Sequence, residues 1–175
     1  MLPNIPGRSV VELTTRLSFW KVAPMNKHIK LRIDQAKLLA QSSPCPRGQV
    51  GAVIFDGESW AIIADGYNGA PRGGGELCGD HTCTRDDLNI ISGTSVEIGC
   101  HHAEANALCN AARLGSSTLG ASLAVTRDPC LNCAKLIHHA GIVKVYSPSL
   151  EGEAGVSYLL KHGVEVLPWR SKNAD

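Results

Sequence analysis

The sequence contains 175 residues with a formal net charge of +1, and 43% of them are hydrophobic and 19% charged. That length and balance predict one globular domain and exclude a fibrous or disordered chain. The near-zero net charge offers no general attraction for a polyanion, and no apolar run approaches the roughly 20 residues of a membrane span.

The first half of the chain predicts a helix and a hairpin, followed by a long irregular stretch. Residues 1–24 contain three prolines and no sustained periodicity, so they are interpreted as an N-terminal extension. Helical spacing of apolar residues and two β-rich runs around an Asp-Gly turn predict the first elements. These are the helix Asn26–Gln41 and the strands Val50–Phe55 and Trp60–Tyr67. The stretch that follows, to about Cys100, shows no clear period, which indicates a functional loop or a segment fastened by a metal.

The second half alternates helices and strands. The predicted elements are the helices His102–Leu114, Cys130–Ala140 and Glu153–His162 and the strands Ala121–Thr126, Val143–Ser147 and Val164–Leu167. Such alternation implies right-handed crossovers and a sheet covered by helices. We therefore predict a single α/β domain over residues 25–170, with residues 171–175 as a tail.

The cysteines point to metal binding. There are seven, and the start of the sequence lacks the pattern of a secretory signal, so we expect metal ligands in a reducing, cytoplasmic compartment. Cys130 and Cys133 form a Cys-x-x-Cys pair at a predicted helix start, where two sulfurs reach one ion and helix N–H groups favour thiolates. His102 supplies a third ligand. Three protein ligands leave one position open for water, which is typical of catalytic zinc.

Glu104 is the predicted proton shuttle beside that zinc. Hydrolysis by a zinc-activated water requires protons to be moved from the water to the substrate and its leaving group, and a carboxylate near the metal can carry them. Alone, the Cys-x-x-Cys pair could be a redox pair or half of a zinc ribbon, and His102-Ala103-Glu104 an ordinary helix start. Together they are recognised as the signature of zinc-dependent nucleobase deaminases.

Four segments resemble the deoxycytidylate (dCMP) deaminases of the cytidine deaminase superfamily. They are Arg47–Ile54, Gly66–Gly73, His102–Leu108 and Thr126–Cys133. The resemblance implies a three-layer α/β/α fold with a central five-stranded mixed sheet, and hydrolysis of dCMP to dUMP and ammonia for thymidylate synthesis. It also implies homo-oligomers, often hexamers, and in many members activation by dCTP and inhibition by dTTP.

The resemblance also implies substrate-binding residues. Asn68 would hydrogen-bond the deoxyribose, and the backbone N–H of Ala103 would hold the pyrimidine edge. The positions matched to phosphate or effector contacts are Arg47, Tyr67, Gly69 and Arg72. Asn68 could instead be a turn residue that tolerates an unusual backbone angle, and the arginines could be solvated surface groups. The phosphate ligand therefore stays open.

A second, structural zinc site is implied by the same resemblance. Its ligands would be Cys78, Cys83 and Cys100, with His81 or His101 as the fourth. Such an ion would order a loop that has few apolar residues of its own, because the free energy of metal binding then becomes folding free energy. The alternative is a set of free thiols in the loop.

Other functions remain open from the residues alone. The same metal chemistry could act on another nucleotide or nucleoside, such as modified dCMP, cytidine or a purine. A nucleic-acid editor would need a basic groove and stacking aromatics, and the aromatic content of 5% argues against it. A non-catalytic zinc-binding assembly or competence-type protein would have no need of Glu104.

Overall fold

The computed structural model describes residues 26–70, 78–79, 82–91, 98–150 and 154–170, and for 78–79 it describes the backbone. The helices within these ranges are α1 (Lys27–Ala40), α2 (Thr84–Asp87), α3 (Ala103–Arg113), α4 (Leu131–His139) and α5 (Ala154–Lys161). The strands are β1 (Gly51–Phe55), β2 (Ile62–Tyr67), β3 (Cys78–Gly79), β4 (Thr82–Cys83), β5 (Ser122–Val125), β6 (Lys144–Ser147) and β7 (Glu165–Pro168). The predicted extension and tail lie outside the described residues.

Five strands form one mixed sheet in the order β2-β1-β5-β6-β7. Strand β1 pairs antiparallel with both β2 and β5, whereas β5, β6 and β7 run parallel. All residues of β1 and β5 are buried, which explains why these central strands have continuous apolar runs. The predicted five-stranded mixed sheet is confirmed.

Helices cover both faces of this sheet. On one face, α1 packs Ile33 and Ala36 against Val53 and Phe55 of β1. On the other face, α3, α4 and α5 build the larger core, which includes Ala107, Ile137 and Leu159 packed over Leu123 and Val145. The arrangement is the predicted three-layer α/β/α fold. Among the described residues, no helix combines the length and apolar character that crossing a bilayer requires.

The edge of the sheet at which the strands end contains the segments predicted to hold the metal-binding and catalytic residues. Strands β2, β5 and β6 end at this edge, and β1 begins there, because β1 is antiparallel to its two neighbours. The backbone of Thr126, just after β5, donates to the Gly51 carbonyl at the start of β1. Loops after parallel strands commonly build the ligand crevice of an open α/β sheet.

Helix α3 is held close to the edge strand β2 by a glycine and two asparagines. A Cβ on Gly66 would lie 2.5 Å from the Ala107 nitrogen, so only glycine allows this approach. Asn106 and Asn110 donate to the carbonyls of Tyr67 and Asp65 at 2.8 Å each. These contacts hold α3 against β2.

The structure departs from the predicted elements at two places. The stretch before Cys100 was expected to lack regular structure, but it contains the β3–β4 hairpin and α2, which are too short to produce a readable period. The second hairpin strand begins at Ile62 instead of Trp60, because Trp60 has a left-handed φ of 64° that ends the turn.

Candidate active site

His102, Cys130 and Cys133 bring one nitrogen and two sulfurs together at the edge of the sheet. The His102 Nδ1 atom lies 3.5 Å from the Cys130 sulfur and 3.4 Å from the Cys133 sulfur, and all three ligand atoms fall within 4.8 Å of one another. Tetrahedral zinc with ordinary Zn–S and Zn–N lengths separates such atoms by roughly 3.6 Å. The arrangement therefore fits one zinc ion with three protein ligands.

Two of these residues stand just before helices. His102 is the N-cap of α3 and Cys130 the N-cap of α4, both with extended backbone and with no side-chain capping bond. The sequence pattern predicted both as first helical residues, one position too early. Because their side chains do not cap the helices, they are available to face Cys133, which lies in the first turn of α4.

Hydrogen bonds within the group of two thiols and one imidazole shift the pKa values of all three side chains. A hydrogen bond from Cys133, with help from His102, lowers the pKa of Cys130 to about 3. The same bond to Cys130, together with burial, raises the pKa of Cys133, and the bond to Cys130 raises the pKa of His102. A soft cation would take the place of the protons on these side chains.

Glu104 is buried beside the ligand group. It is the second residue of α3 and has 4% of its surface exposed. Burial raises the pKa of its carboxyl group, while its own backbone N–H and the neighbouring His102 oppose that shift. Its interaction with the Cys133 thiol places the carboxyl group next to the ligand sulfurs. The site thus combines three metal ligands with a buried acid that favours its protonated form.

Asn68 fastens the loop of residues 43–50 to the end of β2. Its Oδ1 accepts from the Val50 backbone N–H at 2.7 Å, and its Nδ2 donates to the Gly48 carbonyl at 2.9 Å. The Ser43 hydroxyl donates to the Asn68 carbonyl at 2.7 Å from the other end of the loop. Sequence reasoning missed the role of Ser43, since no local pattern indicates that its hydroxyl bonds to Asn68, 25 residues away. The Oδ1 atom of Asn68 can accept one further hydrogen bond, and its Nδ2 atom can donate one more.

The loop 43–49 lines an open cleft of about 480 Å³. Within it, Arg47 has a largely buried guanidinium whose Nη1 lies 3.3 Å from an Asp86 carboxylate oxygen. That Nη1 makes no hydrogen bond with the described residues. Arg127, which sequence reasoning also missed, packs over Gly48, where a Cβ would lie 2.6 Å from its Nη2. Two guanidinium groups therefore flank the loop.

Of the other predicted phosphate or effector positions, two lie within the described residues and one does not. Tyr67 ends β2 and is 39% exposed, and Gly69 pairs with His101 through two backbone hydrogen bonds of 3.1 and 2.9 Å. That bridge joins the end of β2 to the residue before the ligand His102. Arg72 lies outside the described residues.

The predicted second zinc site is only partly within the described residues. Cys78 and Cys83 are direct cross-strand partners in the backbone register of the β3–β4 hairpin. Cys83 is buried and Cys100 is half-buried. His81 and the side chain of Cys78 lie outside the description. Sequence spacing could suggest the pair, but not its register.

Comparison with known proteins agrees with this geometry. The family model of the cytidine and deoxycytidylate deaminase zinc-binding region matches residues 26–148. Deoxycytidylate deaminase of Enterobacteria phage T4 is 35% identical over 172 residues, covering 79% of this chain and 88% of the phage protein. The crystal structure of dCMP deaminase from cyanophage S-TIM5 in complex with dCMP and dUMP aligns with a TM-score of 0.63 and 34% identity, covering 82% of this chain and 98% of that one.

A further relative carries a different name. ComE operon protein 2 of Bacillus subtilis is 40% identical over 112 residues, which cover 64% of this chain and 54% of that protein. The chain thus spans about half the length of this relative. The span matched by the family model includes all three ligand residues and Glu104. The chain therefore belongs to the cytidine and deoxycytidylate deaminase family, as defined by its zinc-binding region.

Proposed function

We propose that this protein hydrolyses dCMP to dUMP and ammonia, with one zinc ion held by His102, Cys130 and Cys133. The observation that carries the proposal is the convergence of these three ligands with a buried Glu104 at one edge of the sheet. Similarity to proteins named deoxycytidylate deaminase, one of them with dCMP and dUMP bound, supports the choice of substrate. The product would supply thymidylate synthesis.

Glu104 would move the protons of the reaction. Zinc in such a site supplies the Lewis acidity that makes water a nucleophile near neutral pH. Glu104 would accept one proton from the attacking water and pass it to the ring N3; it would then take the second proton from the oxygen newly bonded to C4 and deliver it to the amino group, which leaves as ammonia. Its burial supports this role, because a raised pKa lets a carboxyl group hold and release a proton nearer to neutral pH.

The pyrimidine and the sugar would be held by the ends of α3 and β2. The first N–H groups of a helix have no partner within it, so the Ala103 N–H at the start of α3 is suited to a pyrimidine oxygen. Asn68 would use its remaining hydrogen-bonding capacity for the deoxyribose while its other bonds hold the loop 43–50. Asn68 would thus both contact the sugar and position the loop.

The phosphate would bind beside the loop 43–49. Arg47 is favoured because its guanidinium group lies at the cleft lined by this loop, 3.3 Å from an Asp86 carboxylate oxygen, and Arg127 because it lies across Gly48 at the same loop. Guanidinium groups bind phosphate through paired hydrogen bonds. Tyr67, Gly69 and Arg72 remain proposed phosphate or effector contacts.

A structural zinc in the cysteine-rich segment is a further part of the proposal. Cys78, Cys83 and Cys100 would be ligands, with His81 as the fourth. The direct pairing of Cys78 with Cys83 in the backbone register supports it. Such an ion would order the hairpin, in which the described residues form two cross-strand pairs.

The remaining proposals rest on resemblance. We propose one catalytic domain over residues 25–170, an N-terminal extension over 1–24 and a tail over 171–175. The protein would be a cytoplasmic homo-oligomer, a hexamer in the pattern of the family, activated by dCTP and inhibited by dTTP. Sedimentation at several concentrations, with and without each nucleotide, would test assembly and regulation together.

The substrate is tested with a panel of dCMP, deoxycytidine, cytidine, dCTP and a tRNA, scored by ammonia release. We expect dCMP to give the highest kcat/KM. Preference for a nucleoside or for another nucleotide would keep the metal chemistry but overturn the substrate assignment. If tRNA were the only compound deaminated, the protein would be a nucleic-acid editor. If zinc-loaded protein turned over none of these compounds, the proposal that it is a deaminase would be contradicted.

A further inference from the structure

The segment that carries Cys130 is tied to the neighbouring strand by one carboxylate. Asp128 accepts a hydrogen bond from the Ser147 hydroxyl, a second from the Ser149 N–H at 2.9 Å and a third from the Ser149 hydroxyl at 2.5 Å. Ser147 is the last residue of β6 and is completely buried. The link therefore joins the loop after β5 to the end of a core strand.

A glycine in α5 holds the same segment from another side. A Cβ on Gly155 would lie 2.0 Å from the Pro129 carbonyl oxygen and 2.6 Å from that of Cys130. Both contacts are with backbone, so a larger residue could not be accommodated by the rotation of a side chain. Helix α5 thus packs directly against the backbone that presents the ligand.

The remaining support comes from β1. The Thr126 hydroxyl accepts from the Gly51 N–H at 3.0 Å, and the Thr126 N–H donates to the Gly51 carbonyl at 3.1 Å. Between this point and α4, the chain is held by Asp128 and by the contact with Gly155. The position of the Cys130 sulfur relative to His102 depends on these supports.

We propose that Asp128 is a positioning residue for the metal site, which holds Cys130 in ligand geometry through Ser147 and Ser149, with Gly155 as the backing surface. This inference rests on the proposed zinc site. Asp128 contacts no ligand atom in this arrangement, and it acts through the backbone. If the anchor is lost, zinc has to reposition Cys130 on binding, and its affinity falls by that cost.

The test compares Asp128→Ala with Asp56→Ala. Asp56 also accepts three hydrogen bonds, from the Glu58 N–H, the Ser59 N–H and the Ser59 hydroxyl. It follows β1 at the opposite end of that strand from the site, so it controls for general loss of stability. Zinc affinity of each metal-free variant is measured by competition with a chelator, alongside thermal unfolding.

We expect Asp128→Ala to weaken zinc binding by about tenfold, the lower range for residues that support metal ligands, and Asp56→Ala to leave it unchanged. Asp128→Asn should restore most of the affinity, because the amide oxygen can accept two of the bonds and the Ser149 hydroxyl can rotate to accept from the amide nitrogen. At saturating zinc, Asp128→Ala should lower kcat by a smaller factor than it lowers zinc affinity.

Three outcomes overturn the inference. They are unchanged zinc affinity in Asp128→Ala, equal weakening in Asp56→Ala, and failure of Asp128→Asn to restore binding. If Asp128→Ala does not fold, Ser147→Ala removes one anchor bond and should weaken zinc binding in the same direction, and an unchanged affinity there also refutes the anchor. Wild-type protein that binds no zinc would instead contradict the proposed function.

Discussion

Two cysteine-rich regions of this molecule differ in what holds them in place. The segment from Thr126 to Cys130 joins a buried strand to the core helix that contains Cys133; its Asp128 accepts hydrogen bonds from Ser147 and Ser149, and its backbone packs against Gly155. The hairpin with Cys78 and Cys83 has two residue pairs and belongs to a separate two-stranded sheet. Core packing and hydrogen bonds between distant segments support the first set of residues, whereas the proposed structural zinc would order the second.

The largest effect should come from breaking the first region. Cys133→Ser removes a buried ligand, so the protein should lose its catalytic zinc and its turnover should fall to background. Cys109→Ser, at an exposed position of α3, is the matched control and should change neither. Zinc is measured by atomic absorption and turnover by ammonia release. A Cys133→Ser protein that retains full activity would show that this region is not the catalytic site.

Glu104→Gln should separate metal binding from proton transfer in the same region. The amide keeps the shape of the side chain but cannot carry the proton, so kcat for dCMP should fall by about 10² to 10⁴-fold while zinc content stays at the wild-type level. Glu58→Gln, in the exposed hairpin turn, is the control. Loss of less than about tenfold in kcat would contradict the shuttle role.

The loop 43–49 links the two regions, since Arg47 reaches Asp86 of α2 while Arg127 extends from the first region. Arg127→Ala and Arg47→Ala should each raise KM for dCMP by about tenfold, the effect of losing one charge-assisted hydrogen bond, and should change KM for deoxycytidine little. Lys161→Ala, on the exposed side of α5, is the control. Equal effects on the nucleotide and the nucleoside would exclude phosphate binding.

The smallest effect on turnover should come from the second region. Cys83→Ser should remove one equivalent of zinc and lower the midpoint of thermal unfolding, while kcat changes by only a few fold, because the ion would order a loop without contacting the reaction. Thermal unfolding with and without a chelator measures how much bound zinc raises the unfolding midpoint. An unchanged zinc content in Cys83→Ser would remove the structural zinc from the proposal.

The elements with clear periods were predictable almost to the residue. The last strand and the helix before it, for example, were expected at Val164–Leu167 and Glu153–His162 and are found at Glu165–Pro168 and Ala154–Lys161. Apolar residues recur at a regular spacing along these elements, so a single residue that departs from the pattern does not change the prediction. The β3–β4 hairpin and α2 were missed, because two to four residues contain no measurable period.

The site divides in the same way. His102, Glu104, Cys130 and Cys133 were readable from two short motifs, because zinc chemistry restricts both the residue types and their spacing. Asp128, Ser43 and Arg127 were not, since each acts through a partner distant in sequence or through space left by a glycine. The sequence also did not indicate that the Asn68 amide holds a loop.

The sequence by itself determined the class of fold and indicated the candidate metal ligands and the acid beside them, because those features follow from local periodicity and from the chemistry of a few side chains. Tertiary structure alone decided that the ligands converge within 4.8 Å, and which serine and glycine residues support Cys130. The physical reason is that hydrogen bonds and close packing between distant segments depend on strand order, and no local pattern of residues encodes that order.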